Sequence, residues 1–157
     1  MTGHAPAAPA DVASREAPRA LELLAFWWAA GPGAWFSVDE AFDEACRGWM
    51  GLAEEAAAGA LDAWQETAAG TLALLILLDQ IPRNAFRGTP RAFSTDARAL
   101  AVAEAAIARG CDKGWPMPMK NFFYLPLMHA EDLAVQERAL DLYRAAGDRE
   151  ALLYAYM

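Results

Sequence analysis

Disulfide bonding, metal chelation and membrane insertion all lack their raw material in this chain of 157 residues. Two cysteines, Cys46 and Cys111, form no disulfide framework, so a reducing, cytoplasmic setting is the expectation. The two histidines are His4 and His129, and no H-x-x-x-H or mixed Cys/His spacing accompanies them. A metal site is therefore not expected. No glycine-rich turn follows a strand pattern, which removes the phosphate-loop and dinucleotide fingerprints, and no cofactor is expected. Basic residues are few: 13 Lys+Arg against 21 Asp+Glu give a formal net charge of -8. Nucleic-acid binding needs a basic surface and is not expected. The longest apolar run, Leu72 to Leu78, falls far short of the about 20 residues that span a bilayer, so no membrane role is expected. Residues 1–16 lack both a basic start and an apolar stretch. They read as a mobile, proline-punctuated arm rather than a secretory leader.

β-branched residues are scarce too, and no segment alternates apolar and polar residues over a strand length. What remains is helix-forming alanine, leucine, glutamate and arginine, with alanine about a quarter of the chain. The expectation is an all-α domain over residues 17–157, built of stacked antiparallel helical hairpins.

A first helix is predicted from Arg19 to Ala30, with Leu21, Leu24, Ala25 and Trp28 on its buried face, stopped by Gly31-Pro32-Gly33. Trp35 and Phe36 in the following connection are expected to plug a core edge. Ser37-Val38-Asp39-Glu40 matches an S-x-x-E capping box opening one helix to Ala58, with Phe42, Ala45, Trp49 and Leu52 inward. Gly59 suits a left-handed helix end. A short turn at Leu61 and Trp64 precedes a wholly apolar central helix opened by Gly70-Thr71 and running to Gln80. Pro82 is expected to end or kink it, and residues 83–90 to be irregular. A further helix reaches Arg109. One through Asn121–Tyr124 is expected to break near Pro126. Another runs from Ala130 to Ala146 with Leu133, Gln136, Leu140 and Tyr143 inward. Asp148 could cap a last short helix.

The segments LELLAFWW (21–28), WFSVDEAFDE (35–44), LALLILLDQIPRNAFRGT (72–89), AFSTDARALAVAEAAIARG (92–110) and FFYLPLMHAEDLAVQE (122–137) together resemble the bacterial domain-of-unknown-function family numbered 924. LLDQIPRNAFRGT and PLMHAED carry the most specific part of the likeness. The resemblance implies a tetratricopeptide-like helical fold and brings no settled activity. It also implies that this is a short member: a C-terminal Arg-Phe-Gly-Arg-Phe-Pro-His-Arg-Asn-like run does not follow before Met157. Ala130 stands where the family tends to have serine.

Two polar clusters stand out. Asp79, Arg83 and Arg87 are four residues apart, and Asn84 lies among them. Asp79 ends an apolar helix, so it should be buried with Arg83 as its partner. Arginines of this kind suit a carboxylate or phosphate ligand. The plainer alternative is a structural knot in which Asp79 and Arg83 pair for packing. The second cluster is His129, Glu131 and Asp132. A histidine beside carboxylates can transfer protons near neutrality, while Glu131 and Asp132 equally suit the first turn of a helix.

Three functional classes follow. The first is a binding module that grips a small anionic ligand or a peptide carboxylate with Arg83, Asn84, Arg87, His129, Glu131 and Asp132. The second is an enzyme with His129 as acid or base, Asp79 or Glu131 orienting it, and Arg83 and Arg87 holding an anionic substrate. The third is a protein-binding or homo-oligomeric scaffold without a ligand.

Overall fold

A computed structural model describes residues 18–147 of the chain, and the terminal arm and the segment after Gly147 lie outside it. Among the described residues there is no strand; the fold is all-α. No helix of these residues is long and apolar enough to cross a membrane.

Helix α1 covers residues 18–30. Its inward residues are Ala20, Leu23, Leu24 and Trp27, and Leu21 is 55% exposed. The LELLAFWW run satisfies helical spacing in two adjacent registers, and the core selects the earlier one. A short turn of helix, α2 (Pro32–Trp35), buries Trp35, whose indole N–H donates to the Trp27 carbonyl at 2.7 Å. Phe36 is 57% exposed, and its ring stacks on buried Phe122 and meets Trp35 edge-on, covering that side of the core.

The capping box does not form. Helix α3 (Glu40–Arg47) is capped by Asp39, whose carboxylate accepts the Phe42 N–H at 3.0 Å, while the Ser37 hydroxyl donates to the Gly33 carbonyl. Two residues of slip are enough, because aspartate caps as well as serine does. The expected single helix to Ala58 is two: α4 (Met50–Ala57) begins after a break at Gly48 and Trp49. The inward residues of α3 are Phe42, Asp43 and Cys46 rather than Ala45. Gly59 takes a left-handed φ of 88°, as a helix end requires.

The centre of the fold is a rod of three joined helical segments. Thr67 caps α5 (Ala68–Leu75), accepting the Gly70 N–H at 2.9 Å. A Cβ at Gly70 would collide with the Trp64 carbonyl, so only glycine lets the preceding 3₁₀ turn (Asp62–Glu66) approach this closely. A π-turn (Ile76–Gln80) follows, then α6 (Ile81–Ala85). Leu72 through Leu78 and Ile81 have no exposed surface. The rod packs against α3, α4, and two later helices, α7 (Asp96–Ala108) and α8 (Asn121–Met128). The central buried helix therefore stands where the apolar run places it.

Pro82 does not stop the rod. The π-turn inserts a wider coil just before it, which shifts the register where the proline ring would meet the carbonyl four residues back. Residues 83–85 are accordingly helical, not irregular. Pro126 likewise lies inside α8 without breaking it. There Phe122, Phe123 and Leu127 are buried to within 1%, and their packing overrides the lost N–H. The last described helix, α9 (Leu133–Gly147), buries Ala139 and turns Val135, Leu142, Tyr143 and Ala146 toward the core. Leu133 and Leu140, expected inward, are 72% and 43% exposed. The expected cap at Asp148 and the helix after it lie outside the described residues.

Candidate functional site

Pro82 has no N–H, so the Leu78 carbonyl, four residues earlier, receives no helical hydrogen bond from it. A side chain from the start of α7 takes that place: the Thr95 hydroxyl donates to the Leu78 carbonyl at 2.6 Å. The next carbonyl, of Asp79, accepts from Arg83 Nη1 at 2.6 Å. Side chains thus gather on two successive carbonyls at the π-turn.

Arg83 then joins two elements. Its Nη1 reaches Asp79 Oδ1 at 3.2 Å and Asp96 Oδ1 at 2.8 Å, and its Nη2 reaches Asp96 Oδ2 at 2.9 Å. The two bonds to Asp96 are the bidentate fork that guanidinium geometry favours. The Phe93 ring lies 5.3 Å from the same guanidinium.

Asp79 is 1% exposed and fully engaged. Oδ2 accepts from Gln80 Nε2 at 2.7 Å, and Oδ1 lies 2.8 Å from Nδ1 of His129. His129 closes the C-terminal end of α8, fifty residues along the chain from its partner. An ionised carboxylate only accepts, so in the short contact Nδ1 carries a proton and donates it. Nε2 has no hydrogen-bond partner among the described residues. The ring is about one-quarter exposed.

That exposure opens onto a cleft of about 410 Å³, lined by Phe93, Ser94, Asp96, Ala97, Leu100, His129, Ala130 and Glu131. Its two walls are the 3₁₀ turn at Pro90–Phe93 with the start of α7, and the connection between α8 and α9. Nearby, Tyr143 has its hydroxyl pushed up from the ordinary tyrosine range, by burial first and by the Asp79 charge second.

The structure divides the residues that the sequence groups together. Arg83, Asp79, His129 and Glu131 belong to the cleft or its backing. Asn84 and Arg87 do not: Arg87 pairs with buried Asp43 of α3 through Nε at 2.9 Å and Nη2 at 3.0 Å, and its Nη2 also donates to the Asn84 side-chain oxygen at 2.9 Å. Those hydrogen bonds to Asp43 push the Arg87 guanidinium further up. Asp132 caps α9, accepting the Ala134 N–H at 2.9 Å and that of Val135 at 3.3 Å. Arg91 pairs with Glu54 at 2.8 Å and lies over the Phe86 ring.

Asp96 and Asp43, the carboxylates that hold Arg83 and Arg87, are missed by sequence reasoning. Asp96 looks like an ordinary first-turn acid, and Asp43 carries no local signal beyond sharing a face with Phe42 and Cys46. Among the described residues no group of three or more His, Cys, Asp or Glu is placed to hold a metal ion.

The sequence profile of a family described as bacterial protein of unknown function (DUF924) matches residues 23–155. A solved structure of a protein of unknown function from Agrobacterium tumefaciens is similar at 45% sequence identity, with a TM-score of 0.81 over 83% of this chain and 75% of that one. No curated protein matches the chain.

Proposed function

The chain belongs to this bacterial family of unknown function, DUF924, and we propose that its cleft is a general acid–base site worked by His129. The observation that carries the reading is the 2.8 Å contact between His129 Nδ1 and buried Asp79, on a ring that also borders the cleft. The carboxylate fixes the tautomer and orientation, which leaves the Nε2 lone pair to take a proton from a bound molecule and return it. Arg83 is a positioning residue: it holds Asp79 from one side and Asp96 from the other.

A nucleophilic mechanism draws less support. Ser94 is the hydroxyl of the cleft, and its proton is committed to the Arg91 carbonyl at 2.9 Å. The anion-gripping reading also draws less support. Arg83 and Arg87 are each paired with carboxylates of the protein, and no arginine lines the cleft.

Diethyl pyrocarbonate, which acylates an accessible unprotonated imidazole nitrogen, tests the reading in a His4→Ala protein where His129 is the sole histidine. Native protein is expected to be modified once, at Nε2 of His129. Modification only after unfolding would overturn the reading. Once a turnover is identified, His129→Gln should lower it by about 10²- to 10⁴-fold, the usual worth of a positioned acid–base group.

A further inference from the structure

The side chains that face the cleft offer acceptors and almost no donors. His129 presents the Nε2 lone pair, because its Nδ1 hydrogen is committed to Asp79. Ser94 presents oxygen lone pairs, because its hydrogen is committed to the Arg91 carbonyl. Asp96 and Glu131 are carboxylates. Arg83 answers Asp96 and Asp79 together, and no arginine is paired with the third carboxylate, Glu131. Glu131 has no hydrogen bond or ion pair among the described residues. Every other described arginine is held elsewhere or lies outside the lining, and both lysines of the chain, Lys113 and Lys120, line a different cavity.

The rest of the lining is apolar. Phe93 is 58% exposed, and Ala97, Leu100 and Ala130 complete the wall. A cleft of this volume suits a small molecule. The Arg83 guanidinium already lies over the Phe93 ring, so the exposed part of that ring suits the apolar body of a ligand, and the carboxylate its cationic end. The opening turn of α7 also borders the cleft, and its N–H groups would favour an anion. Asp96 sits in that turn, however, and already places a carboxylate there.

Resting on the acid–base reading, we propose that the cleft takes a protonated amine carried on an apolar or aromatic body, with Glu131 as the recognising charge and His129 as the group that accepts the ammonium proton. The proton passes from the ammonium nitrogen to Nε2, giving the free amine and an imidazolium held by Asp79. No further bond is made or broken in this step.

Two probes of similar size and opposite charge, benzylamine and benzoate, separate this proposal from its opposite. Each is titrated into the His4→Ala protein while the ring proton resonances of His129 are followed by NMR. Benzylamine is expected to move them saturably and benzoate not to. Glu131→Gln should weaken benzylamine roughly two- to five-fold, the worth of a solvent-facing ion pair. Benzoate binding as tightly as benzylamine would overturn the proposal, as would the absence of any saturable shift with benzylamine. So would unchanged benzylamine affinity in Glu131→Gln. If any of these occurs while diethyl pyrocarbonate still modifies native His129, the ligand class falls and the acid–base reading stands. If His129 is unreactive in the native protein, the acid–base reading itself falls.

Discussion

At the scale of single residues, Arg83 has the largest consequence. It answers a carboxylate that is 2% exposed and one that is 27% exposed, and is itself 20% exposed. Removing one member of such a network leaves buried charge uncompensated, a loss of about 3–5 kcal/mol. Arg83→Ala should therefore lower the urea-unfolding free energy by about 3 kcal/mol, toward the low end because Asp96 and Arg83 keep some water contact. Arg83→Lys should recover only part of it, since an ammonium cannot reproduce the fork to Asp96. The Asp79–Arg83 pair is legible in the sequence, because i, i+4 spacing and an apolar helix already demand it. Asp96 is not legible, because its contact depends on how α7 docks against the rod.

Cys46 gives a residue-scale prediction with a sign in pH. Burial, the largest cause, pushes its thiol up from 9.0 to about 12, and the Asp43 charge adds to the rise. Native protein should thus titrate one thiol with a disulfide reagent, half-buried Cys111, and release the second only on unfolding. A thiol whose folded value is raised lends full stability below pH 9.0, and that contribution is lost as pH climbs toward about 12. Tyr124 and Tyr143 are raised as well, by burial first, so they act in the same direction. Denaturation midpoints measured from pH 8 upward should fall, and a midpoint that holds or rises would contradict this account.

At the scale of elements, the prolines show where sequence rules meet tertiary packing. Pro82 and Pro126 each sit within helical segments, contrary to the local rule, because apolar side chains around them are wholly buried. Pro82 offers no N–H to the Leu78 carbonyl four residues back, and that carbonyl accepts from Thr95. Thr95→Val keeps the shape and deletes the donor, so it should cost about 1–3 kcal/mol for the acceptor left unbonded. In a Pro82→Ala background an N–H returns to the chain, and the same Thr95→Val change should cost measurably less. A double-mutant cycle with no coupling would show that the two groups do not share the carbonyl. The stripe on α9 is the reverse case. Leu133 and Leu140 keep helical spacing yet face outward, because Ala139 with Leu142 and Tyr143 forms the stripe that meets α8. Two apolar stripes on one helix leave the choice to the partner surface, which no local pattern contains.

At the scale of the whole molecule, the all-α class and the central apolar rod follow from composition and from the Leu72–Leu78 run. The site does not follow in the same way. Its two defining groups come from the rod and from the end of α8, and they meet only because α8 packs across the rod. The sequence marks both groups as unusual for their surroundings, a carboxylate ending an apolar helix and a histidine beside acids, but it holds no record of the contact. The same packing sends Arg87 and Asn84 toward α3, so the arginine pair that suggests an anion site in the sequence is divided between two places.

Asp79 holds His129 with its proton on Nδ1 and leaves Nε2 open to the cleft. Nitrogen-15 NMR of the imidazole, in the His4→Ala protein at a pH where the ring is neutral, reads this directly. The expected result is a protonated Nδ1 and a bare Nε2 whose resonance moves when benzylamine is added. A ring protonated at Nε2, or one in equal exchange between tautomers, would contradict it.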